Sequence, residues 1–252
     1  MEKIRKIITD KLDEIEQKEN IKILHCVESG SRAWGFPSPD SDYDVRFIYA
    51  RPKEHYLRLD KQRDVIEWQL DDTLDINGWD LQKALRLLHN SNPTLFEWKN
   101  SPIVYRTSEE WGIISKVFDD YLDIASGLYH YINTAKSTYL KHFQRDSVKL
   151  KKYFYVLRPL LACEYIRETK APPPMLFDDL LCYLNGDILP EVRRLLALKA
   201  VTSELGKSQK IVIINEYIER KLGELEEYAK TVKPSKNMDW NELNDLFLSM
   251  VI

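Results

Sequence analysis

A glycine-serine pair, Gly30-Ser31, stands ten residues ahead of Asp42-Tyr43-Asp44. Residues two apart on a strand point the same way, so Asp42 and Asp44 would project together, with Tyr43 on the opposite face. Two carboxylates held that close repel one another unless a cation lies between them. Oxygen donors of this kind select Mg²⁺ or Mn²⁺. Such an ion can bridge triphosphate oxygens and activate an attacking hydroxyl. Gly30 would let the backbone approach a phosphate closely, and Ser31 can add a hydroxyl and an amide at the start of a short helix. The chemistry that suits this set is transfer of a nucleotide from a metal-bound triphosphate. Taken singly, Asp-x-Asp and Gly-Ser are also ordinary turn chemistry. Their order, after one apolar strand and leading into another, favours the functional reading.

The elements that must hold these residues follow from periodicity. Ile4, Ile7, Ile8, Leu12 and Ile15 recur at helical spacing over residues 2–19, and Asn20 closes that helix. Residues 21–27 read as a buried strand ending at the Glu28-Ser29-Gly30-Ser31 turn. Strands are expected over 43–50 and 65–69, with a short one at Leu74-Asp75-Ile76. Asn77-Gly78 reads as a turn after it, and Asn77 is placed to cap a helix over 79–89. From Ser108 the pattern turns helical, over about 108–123, 126–170 with room for a break within it, 176–184, 190–205, 210–232 and 240–250, and Pro172-Pro173-Pro174 forms a rigid connector. The expectation is an α+β chain: a small mixed sheet with flanking helices over 1–105, followed by an all-helical part over 106–252.

Composition narrows the class. The chain has 252 residues, of which 44% are hydrophobic and 31% charged, enough for a substantial core. There is no long apolar run and no signal-peptide pattern, and the three cysteines are widely spaced. A cytoplasmic protein with reduced thiols, no zinc site and no membrane partner is expected. The net charge is −3, yet residues 136–170 hold nine Lys/Arg against three Asp/Glu, a local +6 that leaves −9 on the rest. A basic segment in an acidic chain suggests one surface that receives an anion.

The longer strings carry a resemblance. Glu28-Ser29-Gly30-Ser31-Arg32-Ala33-Trp34-Gly35-Phe36, with Asp40-Ser41-Asp42-Tyr43-Asp44-Val45-Arg46-Phe47, resembles the signature of the DNA polymerase β nucleotidyltransferase superfamily. Together with Gly78-Trp79-Asp80-Leu81-Gln82-Lys83, Asn92-Pro93 and Ser101-Pro102-Ile103-Val104-Tyr105, it is similar to the YcgL-type nucleotidyltransferases, also described as RNA-ligase-associated polymerase-β-like proteins. The likeness runs through residues 22–105 and resumes around 149–163. It implies a polymerase-β-like catalytic domain, Mg²⁺ or Mn²⁺, and a nucleoside triphosphate, ATP foremost. It also implies a third carboxylate from a later strand. Asp75, flanked by Leu74 and Ile76, is the choice, because an unpaired charge is costly in an apolar strand. Glu67 is its rival, and Asp80 reads as helix N-terminal chemistry. Asp42, Asp44 and Asp75 would then be both metal ligands and catalytic residues, while Gly30 and Ser31 grip phosphate. Arg32 could touch a phosphate and Arg46 could hold a carboxylate, or either could be an ordinary salt-bridge partner.

Lys141, Arg145, Lys149 and Lys152, spaced by four, four and three, would line one face of a continuous helix. Such a stripe is usually a solvated face, but here few acids lie nearby. In related two-domain nucleotidyltransferases the second domain supplies lysines to the triphosphate tail, which implies nucleotide-binding roles for Lys152 and Lys149. If Pro159 kinks this helix, Arg158 turns towards the nucleotide. Trp34 suits either base stacking or core packing, and His25 reads as a core residue. The acceptor stays open between an RNA end, a protein side chain as in antitoxin-like adenylyltransferases, and a small molecule. A catalytically silent nucleotide-binding protein is the alternative from another class.

Overall fold

In the computed structural model, which describes residues 2–71, 73–184, 186–202, 206–235 and 239–251, strand alternation sorts core from chemistry. Helix α1 (Glu2–Glu19) precedes β1 (Lys22–Glu28), a short α2 (Gly30–Ala33), β2 (Tyr43–Ala50), a short α3 (Lys53–Tyr56), β3 (Val65–Asp71) and β4 (Leu74–Asp80). Then come α4 (Leu81–His89), α5 (Pro93–Lys99) and β5 (Val104–Thr107). Five strands form one mixed sheet in the order β3-β4-β2-β1-β5. All neighbours are antiparallel except β2 and β4, which run parallel with Asp44 opposite Asp75 and Phe47 opposite Gly78.

On one face Val45, Phe47, Tyr49 and Ile76 pack beneath Ile8, Leu12 and Ile15 of α1, all fully buried. Each such side chain contributes roughly 2 kcal/mol by leaving water. Asn20, at φ 49°, ends α1 in the left-handed conformation that asparagine tolerates. The alternate positions Asp44, Arg46 and Asp75 therefore fall on the other face.

The chain continues through α6 (Glu109–Ile114), a 3₁₀ segment at Ser115–Tyr121, α7 (Ile124–His142), β6 (Ser147–Lys149) and α8 (Lys151–Thr169). A second 3₁₀ segment at Asp178–Tyr183 is followed by α9 (Ile188–Val201), β7 (Lys207–Gln209), α10 (Val212–Thr231) and α11 (Asn241–Met250). Contacts group the chain into two units, Met1–Gly30 with Asp42–Tyr121 and Lys236–Ile252, and Ser31–Ser41 with Leu122–Ser235. This division follows contacts, whereas the sequence reading cuts the chain once after residue 105. In the first unit α11 packs on α4, Phe247 meets the Tyr56 ring edge-on and Trp240 stacks on His89 at 3.6 Å. In the second, α7, α8 and α10 enclose an apolar core that includes Phe36, Phe154, Leu157 and Phe177. The fold is α+β, as the sequence implies.

Several local expectations change. Asn77-Gly78 is not a turn and Asn77 caps nothing. Both lie within β4, and α4 starts two residues later than expected, with the Asp80 carboxylate accepting from the Gln82 amide at 2.8 Å. The reason is packing: a Cβ on Gly78 would lie 2.2 Å from the Phe47 ring, so glycine is what lets Phe47 cross β4. The break allowed for in the 126–170 helix falls after His142, where buried Phe143 stacks on Tyr139 and meets Tyr153 edge-on, and the strand at residues 147–149, which pairs with β7, was not expected. The expected helix over 190–205 ends at Val201, and 203–205 lie outside the described residues. Helix α5, capped by Asn92 with Pro93 in its first turn, was not anticipated.

Gly78→Ala should lower unfolding free energy by roughly 1–3 kcal/mol, the range for overpacking a filled core. Adding Phe47→Leu should recover part of the loss in urea denaturation. An undiminished midpoint in the single variant would contradict the packing account.

Candidate active site

Two strands carry the acidic centre. Asp44 and Arg46 are neighbours on one face of β2, and the parallel register sets Asp75 beside Asp44. Like charges on adjacent strands repel, and Arg46 answers that repulsion. Its Nη2 donates to Asp44 Oδ1 at 2.9 Å and to Asp75 Oδ2 at 2.8 Å. Its Nη1 donates to the carbonyls of Val45 and Asp75, 3.0 Å each. The side chains keep 25% exposure at Asp44, 49% at Asp75 and 19% at Arg46, so the pair faces solvent over a fixed base.

Beneath lies a residue to which the sequence assigned no role. Glu28, at the end of β1, is fully buried. Its Oε1 accepts the Asp44 backbone N–H at 2.8 Å, and its Oε2 accepts the Tyr105 hydroxyl. Burial, reinforced by the Glu28 charge, pushes the Tyr105 phenol well above its ordinary pKa. The Ser29 amide donates to the Asp44 carbonyl at 2.8 Å, and Ser101 Oγ donates to the Glu28 carbonyl at 2.6 Å. Glu28 and Ser29 thus hold the Asp44 peptide on both sides. In the sequence Glu28 is only a glutamate at the end of a largely apolar run, and the bond to Asp44 is what gives it this role.

Gly30 has φ +60°, and a Cβ there would lie 2.0 Å from Asp44 Oδ2. What the structure shows this glycine doing is making room for the Asp44 carboxylate. Ser31 and Arg32 belong to the second unit, where both engage Ser41 and so close the 31–41 loop. Ser31 Oγ donates to Ser41 Oγ at 3.1 Å, and Arg32 Nη2 donates to the Ser41 carbonyl. Asp42 precedes β2 and is exposed. Glu67 sits on β3 opposite Asn77, about two strand spacings (~10 Å) from β2. It binds Arg63 at 2.6 Å. Asp75, not Glu67, is the acid that the register sets beside Asp44.

The donor chemistry of Asp44 and Asp75 fits a hard divalent ion, but the arrangement as it stands fits a guanidinium. Among the described residues no three His, Cys, Asp or Glu side chains stand together as a metal-binding group. Asp44 and Asp75 meet on Arg46, and Asp42 is not gathered with them.

The basic residues collect without the helical stripe that was expected. Lys141 is near the end of α7, Arg145 lies between elements, Lys149 is on β6, and Lys152 is in the first turn of α8. Among the described residues none of Lys141, Arg145, Lys149, Lys151 and Lys152 is paired with a carboxylate. Burial first, then Lys151, Lys141 and Lys149, lowers the Lys152 pKa. His142 is lowered by burial and then by Lys152, Lys141 and Lys149. Lys152 Nζ rests 4.9 Å from the Tyr155 ring centre. Arg158 does not turn outward. Helix α8 runs on through Pro159, and the guanidinium is buried over Trp34 at 4.7 Å, donating to the Met175 carbonyl. Trp34 packs against the core of the second unit.

A sequence model of the family described as the RNA repair pathway DNA polymerase beta family, RlaP, matches residues 4–249. The chain belongs to that family. The resemblance drawn from the sequence is thereby borne out. The uncharacterized protein YcgL of Bacillus subtilis strain 168 is 44% identical over 250 residues, covering 97% of this chain and 95% of that protein. Among solved structures, a nucleotidyltransferase-like protein from Exiguobacterium sibiricum 255-15 aligns with a TM-score of 0.32 and 11% identity, over 89% of this chain and 75% of its own. Among the described residues no helix is long and apolar enough to cross a membrane. Cys26, Cys163 and Cys182 are all free thiols.

His25 is a core residue of this RlaP-family chain, stacked on Trp111 at 4.4 Å. Burial lowers its pKa from 6.5 to about 4. The unfolded chain therefore binds this proton more readily than the folded one between those values, and stability should fall as pH drops from 6.5 towards 4. The full contribution is about 3 kcal/mol. Urea unfolding of His25→Gln should show a shallower pH slope than wild type across that window. Parallel slopes would contradict a neutral buried imidazole.

Proposed function

We propose that this RlaP-family protein is a metal-dependent nucleotidyltransferase that moves a nucleoside monophosphate from a triphosphate, ATP foremost, to an acceptor, with release of pyrophosphate. The observation that carries this reading is the Asp44–Asp75 pair, set side by side by the parallel β2–β4 register in a chain of this family. Asp44 and Asp75 are the proposed ligands of Mg²⁺ or Mn²⁺, with Asp42, just ahead of β2, proposed to turn in and join them when the ion binds; the ion would then neutralise phosphate charge and activate the acceptor hydroxyl. Glu28, through the Asp44 amide, keeps that peptide from shifting. Gly30 leaves room for the Asp44 carboxylate, and Ser31 and Arg32 are proposed to receive phosphate oxygens. The cluster around Lys149 and Lys152 is proposed to receive anionic phosphate as well. Lysines that repel one another, and that among the described residues have no carboxylate partner, gain most from such a ligand. Positioning and charge neutralisation would supply most of the rate.

For the acceptor, the family description favours an RNA end. Incubation with α-labelled ATP and Mg²⁺, followed by separate RNA, protein and metabolite fractions, should place label on RNA. Label in the protein fraction would point to an adenylyltransferase acting on a partner, and nucleotide binding without transfer would point to a silent relative.

Asp44→Asn and Asp75→Asn should each lower nucleotide-dependent pyrophosphate release by about 10²-fold or more while leaving the fold intact. Release equal to wild type in both would rule the assignment out. Lys149→Ala/Lys152→Ala should weaken triphosphate binding roughly tenfold or more, as expected when charge-assisted contacts are lost. Unchanged affinity by calorimetry would remove these lysines from the site.

A further inference from the structure

Arg46 makes four hydrogen bonds, two to carboxylates and two to backbone carbonyls. Only the carboxylate contacts involve groups that a metal ion would also claim. The Val45 and Asp75 carbonyls can keep the guanidinium in place while Asp44 and Asp75 turn their oxygens elsewhere. We propose that Arg46 is a built-in counter-cation: it holds the acidic pair together in the ion-free protein and competes with the divalent ion for the same oxygens. This rests on the reading of Asp44 and Asp75 as metal ligands.

The consequence is an order of binding. Without nucleotide, a divalent ion must share its ligands with a tethered positive charge and is held weakly. A triphosphate brings negative charge that offsets both cations, so ion and nucleotide bind best together. The acids are spaced by the sheet, and Arg46 satisfies them until ion and nucleotide arrive.

The test is Mn²⁺ titration, followed by electron paramagnetic resonance, of the full chain without nucleotide. Arg46→Gln should bind Mn²⁺ about tenfold or more tighter than wild type, because one unit charge is removed from beside a dication. Arg46→Lys, which keeps the charge, should stay near wild type, and Asp44→Asn should lose the site. Equal or weaker binding by Arg46→Gln, with Asp44→Asn still abolishing it, would overturn the inference and leave the metal reading standing. Tightening by Arg46→Lys as large as by Arg46→Gln would also overturn it. Absence of Mn²⁺ binding in every variant would overturn both. Should Arg46→Gln fail to fold, ¹⁵N NMR of the wild-type arginine side chains decides. Saturating Mg²⁺ with a non-hydrolysable triphosphate should shift the Arg46 Nη resonances, and unshifted resonances would contradict the competition.

Discussion

Two charged carboxylates side by side on parallel strands repel one another, and the way this protein meets that constraint shapes the first unit. Arg46 comes from the same strand face as Asp44, two residues along, so the sheet that creates the repulsion also delivers the charge that relieves it. Because Nη1 is anchored on the Val45 and Asp75 carbonyls, the pair is tied to the sheet backbone and not to a free rotor. Side-chain position here is inherited from register, and register is fixed by the apolar residues on the opposite face.

That opposite face explains the rest of the scaffold. Val45, Phe47 and Tyr49 are committed to the core beneath α1, which leaves Asp44 and Arg46 no other side. A one-residue slip between β2 and β4 would separate Asp44 from Asp75 and lift Phe47 off Gly78. Glu28 adds a second lock from β1, where a buried carboxylate holds the Asp44 amide. A carboxylate in such surroundings is tolerated because the N–H and the Tyr105 hydroxyl both point into it.

Much of this was legible in the sequence because it depends on a period of two. The alternation in Tyr43–Ala50, the apolar flanks of Asp75 and the apolar stripe of α1 are local signals. Their consequences for facing survive folding. What was not legible depends on long-range contacts. Asn77-Gly78 looks like a turn until Phe47 is seen to need the missing side chain. The cation stripe looks helical through Arg145-Asp146-Ser147, because neither glycine nor proline marks the break. Tertiary packing of Phe143 ends the helix instead. Glu28 looks like a surface residue ahead of a turn, and only the bond to Asp44 shows its purpose. Asp42 and Asp44 share a period on paper, yet Asp42 precedes the strand, so strand alternation does not fix its direction.

The account rests on Asp44 and Asp75 as the shared anchor for a divalent ion in a nucleotidyltransferase. Anomalous diffraction from crystals grown with Mn²⁺ and an α,β-methylene triphosphate tests this most directly. The account predicts a manganese peak bonded to oxygens of both Asp44 and Asp75, with the Arg46 fork released from at least one of them. A peak elsewhere, with Arg46 still joined to both carboxylates and nucleotide bound, would contradict it.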